Sequence, residues 1–579
     1  MPTGGRTAGL SCRGQGKTIH SRRIDGEGGL AASVDFVVVG SGAGGLAGAI
    51  AAKLNGLNPV VIEKAALWGG TSALSGGGVW IPNNHLMKRD NIPDSYEEAM
   101  AYLEATVGEV GPASSRERKH AYLDAGPKMV RSLEKLGFTW IRAPKYPDYY
   151  QKMPGAKVGR TLEASNFDAN RLGAMLHTMR RNMMRPLAIT TDAAPKIPTM
   201  LRSFNSLMGV MTVVARTLKF RIKGQVPLSM GQTLVAQLMA VVQSLDIPVR
   251  LDTPLKELVQ DDAGRVIGVK VTTAQGEETI AAPRGVLMAA GGFAKDAAYR
   301  MPLQGVTGEW SPASPDDTGD GHKIGAAIGA ELALMDSATW YPVSISPDGT
   351  INVGIWERTL PGSIIVDQSG QRYTNEAASY VDAGRAMLER DKTVPAVPSW
   401  LVFDTRYRNR YFFGQIPPRV TRQYVESGFF QKGETLEELA GKCGIDAAGL
   451  VATVTRVNSM AAAGGVDADF DRGDNVYDEY YGDPAHRPNR SFGPVDAAPF
   501  YAVRYWPGDL STKGGLMADA HARVLRADGS VIEGLYVAGN NAAPVMGRTY
   551  PGAGATIGPS MVFAWIAGHH AAGADVSVC

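Results

Sequence analysis

The stretch Val34-Asp-Phe-Val-Val-Val-Gly40-Ser-Gly-Ala-Gly-Gly45-Leu-Ala-Gly-Ala-Ile50-Ala-Ala-Lys-Leu-Asn-Gly-Leu-Asn-Pro-Val60-Val-Ile-Glu63 decides the fold. Its opening run is mostly apolar and β-branched, the composition of a parallel strand buried on both faces. Leu46–Leu57 is apolar and alanine-rich and predicts a helix; Pro59–Ile62 predicts a second strand, ending at Glu63. The G-x-G-x-x-G pattern thus stands between a strand and a helix, and an acidic residue follows Gly40 by 23 positions at a strand end. That context makes the pattern a dinucleotide-binding signature. Gly40 permits the tight turn, Gly42 lets the backbone approach a pyrophosphate, and Gly45 lets the helix lie close to the strand. Ser41 and Gly44 share the loop. The helix N-terminus offers N–H groups and a positive dipole end to phosphates. Glu63 is placed to accept hydrogen bonds from a ribose, with Lys64 beside it.

Working outward, Gly69-Gly70-Thr71-Ser72 and Ser75-Gly76-Gly77-Gly78 form a second glycine- and hydroxyl-rich loop just after Glu63. Such a loop can run along an extended cofactor, which points to FAD rather than NAD. Two more strand-to-glycine passages come later. Gly285–Phe293 carries Ala290 and Gly291, and Leu535-Tyr-Val-Ala-Gly539-Asn540 precedes a helix expected to start near Gly558-Pro559-Ser560, with Ile557 before it counted among the cofactor-binding residues. A helix N-terminus there would favour negative charge on a reduced flavin. The expected architecture is α/β: a Rossmann-type FAD-binding domain from 34–340 and 506–579, with a smaller α+β substrate domain, 341–505, inserted.

Composition agrees with a soluble globular protein. The chain has 579 residues, 44% apolar and 20% charged, with a formal net charge of +2. That charge is too small to argue for nucleic acid. The three cysteines, Cys12, Cys443 and Cys579, are far apart. They suggest neither a disulfide framework nor a metal site, and fit a reducing, cytoplasmic setting. Two uncharged runs, Phe36–Ala52 and Tyr550–Gly568, contain glycines or prolines and read as strand-turn-helix and loop-helix rather than membrane spans. Residues 1–33 are rich in Gly, Ser, Thr and Arg without an apolar core, and are expected to be a disordered extension rather than a signal peptide.

At this point the motifs resemble a family. Gly69-Gly-Thr-Ser, Ser75-Gly-Gly-Gly-Val-Trp-Ile-Pro-Asn-Asn84, Thr512-Lys-Gly-Gly515, Gly534-Leu-Tyr-Val-Ala-Gly-Asn540 and Tyr550-Pro-Gly-Ala-Gly-Ala-Thr-Ile-Gly-Pro559 are similar to the 3-ketosteroid Δ1-dehydrogenases. These belong to the fumarate reductase/succinate dehydrogenase flavoprotein superfamily. The resemblance implies non-covalent FAD, a 3-keto-4-ene steroid as substrate, and a 1,2-double bond in ring A as product. Polarising the C3 carbonyl acidifies C2–H, so a base takes that proton while hydride leaves C1 for flavin N5. Tyr550-Pro-Gly-Ala-Gly554 has the make-up of the polarising loop. Proline fixes the chain after the tyrosine, and the glycines let backbone approach a ligand. By resemblance, the Tyr550 hydroxyl and the Gly554 N–H hold the C3 oxygen, Tyr380 is the base, and Tyr149 eases its deprotonation or relays the proton. Tyr150 is the adjacent alternative to Tyr149.

Three features admit plainer readings. Arg372 and Glu376 read as a charge-stabilised hairpin, and Asp317-Thr-Gly-Asp320-Gly-His322 as a helix start capped by its own polar groups. Residues 200–224 combine apolar side chains with Arg202, Arg216, Lys219, Arg221 and Lys223 and no acid. They read as a helix covering the site entrance or a subunit contact, or as a basic amphipathic segment on an anionic membrane. Three other activities compete: a ketosteroid dehydrogenase acting at another ring-A bond, a fumarate reductase-like enzyme, and a flavin carrier without chemistry. A dicarboxylate site calls for convergent cations, whereas Tyr-Pro-Gly-Ala-Gly offers a hydroxyl and N–H groups.

Overall fold

A computed structural model describes residues 34–181 and 187–576. The expected N-terminal extension, 1–33, lies outside them. The decisive stretch forms β1 (Phe36–Val39), α1 (Ala43–Leu54) and β2 (Pro59–Ile62). The helix starts three residues earlier than Leu46, because Gly44 and Gly45 belong to its first turn. A Cβ on Gly45 would stand 1.9 Å from the Gly40 carbonyl oxygen, so the turn closes only around glycine. Further along come α2 (Phe204–Ile222), α3 (Met230–Ser244), β3 (Val249–Arg250), β4 (Val286–Met288) and α4 (Asp320–Ala327). Then follow β5 (Ala338–Ile345), β6 (Ser363–Val366), α5 (Tyr380–Asp391), β7 (Ser399–Asp404) and β8 (Phe500–Thr512). The chain closes with β9 (Arg523–Leu525), β10 (Val531–Val537) and α6 (Ile557–Ala571).

The first sheet has the order β9-β10-β4-β1-β2-β3 and is parallel except for the edge strand β9. Val37 pairs with Val60 on one side and Val286 on the other, and Val286 with Leu535. Strands from 36, 286 and 531 therefore lie side by side, which is how the two ends of the chain build one sheet. The strands β1, β2 and β4 are buried throughout. Each fully buried Val or Ile contributes roughly 1.5–3 kcal/mol. The helices α1 and α6 pack against each other on this sheet. Two glycines set their approach: a Cβ on Gly48 would stand 3.2 Å from the Ala564 carbonyl oxygen, and one on Gly568 would meet Ala51 at 2.8 Å. Nearly every residue of α6 is buried, which accounts for its uncharged sequence without a bilayer. No helix among the described residues is long and apolar enough to cross a membrane.

The second sheet is antiparallel, ordered Ile351–Val353, β5, β8, β7, β6, with Gln431–Gly433 also paired to β8. The strands β5 and β8 straddle the expected boundaries at 340/341 and 505/506. Against this sheet lies α5. A Cβ on Gly384 would stand 2.6 Å from the Tyr341 nitrogen, so the helix sits tightly on β5.

Two local readings need correction. The helix α4 does begin at Asp320, but its N-cap is Gly319 (φ +73°), with no side-chain cap. Its acids point elsewhere: Asp317 accepts from Thr71 Oγ1 at 2.7 Å, and Asp320 pairs with Lys64 at 2.7 Å. Arg372 and Glu376 do pair, at 2.8 Å, but in a buried cluster with Asp467 and Arg472 rather than in a hairpin.

Candidate active site

The nucleotide end is built where the first sheet changes winding direction, at the C-terminal ends of β1 and β4, the place where such sheets bind ligands. The N-terminus of α1 has no side-chain cap in its N-cap position and no acid in its first turn. Its positive end is thus left to a ligand. The Ser72 hydroxyl accepts from the Ala43 N–H at 3.1 Å, which brings the second glycine loop onto the same helix end. Glu63 accepts from the Ser41 N–H at 3.1 Å and hydroxyl at 2.6 Å. The carboxylate is thereby fixed at the end of β2. Ser75 holds the next turn, donating to the Ser72 carbonyl at 2.7 Å and accepting from Gly77 N–H at 3.1 Å. The β4 end joins in, since the Ala290 N–H donates to Asn541 Oδ1 at 3.3 Å. Gly291 lies so close to Asp317 that a Cβ would fall 2.4 Å from its carboxylate. A cavity of about 30 Å³ lies among Gly539, Asn540, Thr556 and Ser560, with Arg118 and Lys513 on its wall. These features fit an extended dinucleotide: an open helix end for phosphates, an acid for a ribose, and glycine backbone along the path. Of the expected residues, Lys64 stands apart, because Thr318 and Asp320 engage its amine.

At the other end, three tyrosines from distant parts of the sequence meet. The ring centroids of Tyr149, Tyr380 and Tyr550 form a near-equilateral triangle: 5.4 Å for Tyr149–Tyr380 and 5.5 Å for each of the other sides. Each arrives differently. Tyr380 opens α5 and stacks on Tyr341 at 4.3 Å. Tyr149 is set by its own backbone, whose N–H donates to the Pro551 carbonyl at 2.8 Å. Beneath it, buried Asp148 accepts from Trp80 Nε1 at 2.7 Å and pairs with Arg160 at 2.8 Å. Burial outweighs that arginine and pushes the Asp148 carboxyl up to about 6. The loop carrying Tyr550 is pinned at successive carbonyls: Tyr102 Oη donates to Pro551 at 2.6 Å, Thr161 to Ala553 at 2.9 Å, and the Trp80 N–H to Gly554 at 3.3 Å.

Within that loop the Gly554 N–H points at the Tyr550 hydroxyl, 3.3 Å away. The two donors expected to share one carbonyl oxygen therefore converge. Burial raises the Tyr550, Tyr380 and Tyr149 phenols above their usual range, and neighbouring tyrosines raise Tyr380 and Tyr149 further. All three are neutral hydroxyls at ordinary pH. The hydroxyls continue as a row: Tyr146 lies 3.1 Å from Tyr149 and in short contact with Tyr481. Tyr150 takes a different place from Tyr149. It accepts from the Tyr550 backbone N–H at 3.4 Å. The sequence reading gave Tyr146, Tyr481 and Lys513 no role in the site, and took Asp317 only as part of a helix start. Only Lys513 had a local signal there, inside Thr512-Lys-Gly-Gly515.

A largely parallel sheet with a glycine-rich turn and an acid-free helix end at its switch point, joined to a phenol-lined site, defines a dinucleotide-binding flavoprotein oxidoreductase. The comparisons narrow this. Residues 35–557 match the FAD binding domain family. A 3-oxosteroid 1-dehydrogenase of Mycolicibacterium smegmatis is 41% identical over 555 residues, 92% of this chain and 96% of that protein. One from Mycobacterium tuberculosis is 41% identical over 559 residues, 93% of this chain and 98% of that protein. The 3-ketosteroid Δ1-dehydrogenase of Sterolibacterium denitrificans, solved with 1,4-androstadiene-3,17-dione, superposes with a TM-score of 0.88 at 37% identity, covering 94% of this chain and 100% of that one. The chain belongs to the FAD-binding flavoproteins and, within them, to the 3-oxosteroid 1-dehydrogenase family.

Proposed function

We propose that this protein removes the C1 and C2 hydrogens of a 3-keto-4-ene steroid, with Tyr550 and Gly554 holding the C3 oxygen, Tyr380 taking the C2 proton and Tyr149 relaying it. The carrying observation is the meeting of Tyr149, Tyr380 and Tyr550 around one point, with the Gly554 N–H on the Tyr550 hydroxyl. FAD, when bound, supplies the two-electron acceptor. The open end of α1, Glu63 and the glycine loop 75–78 are the groups that would hold it. The chain's own part is proton handling. Two donors on the carbonyl oxygen stabilise the charge that develops as C2–H breaks. A neutral Tyr380 accepts that proton only by surrendering its own, and Tyr149 and Tyr146 give it a route. Residues 34–340 and 506–579 are assigned to the cofactor and 341–505 to the substrate. A dicarboxylate substrate is disfavoured, since the triangle is lined by phenols rather than cations. The experiment is direct: the holoenzyme, 4-androstene-3,17-dione and an artificial electron acceptor. The expected product is two hydrogens lighter, with new vinyl protons at C1 and C2. Unchanged steroid from folded, yellow protein overturns the reading.

A second reading concerns where the enzyme works. Along α2, Phe204, Leu207, Met208, Met211, Val214, Leu218 and Ile222 are all exposed, Phe204 by 75% and Ile222 by 80%. Their spacing of three and four puts them on one face, opposite buried Ser206, Val213 and Thr217. Lys219, Arg221 and Lys223 are exposed beside this stripe. Arg216 and Arg202 are engaged by Asn166 and Asp483 respectively, so they contribute less than the sequence suggested. An apolar face flanked by cations that form no ion pair among the described residues is complementary to an anionic bilayer, where each cation contributes about 1 kcal/mol. Flotation with phosphatidylglycerol vesicles is expected to carry the protein at low salt, and Phe204→Ser with Leu218→Ser to release it. Failure to float at low salt removes this reading.

A further inference from the structure

The last residue of β8 is followed by Lys513, whose side chain enters the interior rather than solvent; the residue is 5% exposed. Its amine donates to the Gly547 carbonyl at 3.2 Å and to the Thr549 carbonyl in short contact. These carbonyls lie immediately before Tyr550. The amine stands 6.0 Å from the Tyr550 ring centroid. Among the described residues no carboxylate forms an ion pair with it. A buried ammonium without a counter-ion is expensive, so its presence here calls for an explanation in what it holds. Desolvation pulls it down to about 7, with Asp382 opposing and Arg385 and Arg548 adding to the fall.

A second brace meets the same loop from the other side. The Tyr550 N–H donates to the Tyr150 hydroxyl at 3.4 Å, and the charge of Asp382 raises the Tyr150 phenol. Asp382 belongs to α5, the helix that Tyr380 opens. The loop of the carbonyl-holding tyrosine is thus gripped at its carbonyls by Lys513 and at its N–H by Tyr150.

We propose that Lys513 is a positioning residue for the reaction: it clamps the 547–549 carbonyls and thereby sets the Tyr550 hydroxyl where the substrate oxygen meets Gly554. This rests on the role given to Tyr550 above. A rigid clamp matters because reacting groups displaced by about 1 Å lose around 10²-fold in rate. In this assignment Lys513 acts through Tyr550; because it also borders the cavity beside Gly539 and Thr556, its effect is read as a rate per bound flavin.

The test uses holoenzymes of wild type, Lys513→Met, Tyr550→Phe and the double variant, with anaerobic single-turnover reduction of the flavin by 4-androstene-3,17-dione. Lys513→Met is expected to slow reduction 10- to 100-fold while the substrate concentration for half-maximal rate changes less than 3-fold. In the Tyr550→Phe background the same change is expected to cost less than 2-fold, because the group it positions is gone. A structural role would slow both backgrounds equally. Lys513→Gln, which keeps an N–H donor without the charge, is expected to fall between wild type and Lys513→Met. It replaces Lys513→Met in both backgrounds should that variant not fold. Wild-type rates in the lysine variants, or equal losses in both backgrounds, overturn the proposal. A wild-type rate in Tyr550→Phe instead overturns the reading of the site on which it stands.

Discussion

Tyr380→Phe is expected to lower the rate of flavin reduction by steroid about 10³-fold, within the range that general-base groups supply, while the protein keeps its fold and its yellow colour. The ring itself is retained, so its stack on Tyr341 at 4.3 Å and its contact with Tyr149 at 5.4 Å persist. Only the hydroxyl goes, and with it the proposed acceptor for the C2 proton. The pH dependence sharpens the test. Burial and the surrounding tyrosines hold the Tyr380 phenol well above 10. A base must lose its own proton first, so the competent fraction grows with pH throughout the range below that value. Wild-type reduction is therefore expected to climb through pH 9 without a plateau, and the residual rate of Tyr380→Phe to lose that slope. Anaerobic stopped-flow bleaching measures both. A variant within tenfold of wild type, or one with the same slope, would remove Tyr380 from the base role.

The nucleotide half was open to sequence reading because its determinants are local. Strand, glycine turn, helix and acid follow one another between Val34 and Glu63, and each is dictated by composition or by the space available to a Cβ. The helix start was misplaced by three residues because Gly44 and Gly45 are poor helix formers by propensity, yet close packing requires them: Gly45 against the Gly40 turn and Gly44 against Ser560 of α6. The tyrosine site is different. Nothing near residue 149 in sequence indicates 380 or 550; resemblance alone brought them together there. Their triangle depends on β5 and β8 pairing across the two parts of the chain, on Gly384 seating α5, and on Trp80 and Asp148 supporting residue 149. Such long-range arrangements leave no periodicity to read. The same holds for Lys513, whose two backbone partners lie 34 and 36 positions further on. The stripe on α2 is an intermediate case. Its spacing was visible, but which cations are free depended on partners such as Asn166 and Asp483.

Gly554→Ala is expected to cost 10²- to 10³-fold in the rate per bound flavin, the loss typical of a disabled oxyanion donor, although the N–H itself remains. The reason is space and backbone. Gly554 has φ +93°, outside the region that residues with a Cβ adopt without strain. A Cβ built there would stand 2.3 Å from both the carbonyl carbon and oxygen of Gly78. Retreat on that side is limited, because a Cβ at Gly78 would itself be only 3.3 Å from the Ala553 oxygen. The 550–554 loop must therefore move as a unit, against its anchors at Tyr102, Thr161 and Trp80. That motion parts the Gly554 N–H from the Tyr550 hydroxyl, and it presses on the 75–78 loop expected to follow the cofactor. Weaker FAD retention and a lower melting temperature should accompany the slower chemistry. Rates normalised to flavin content at saturating FAD separate the two effects. If the normalised rate equals that of wild type, the residue matters only for cofactor packing, and the shared hold on the substrate oxygen falls to Tyr550 alone.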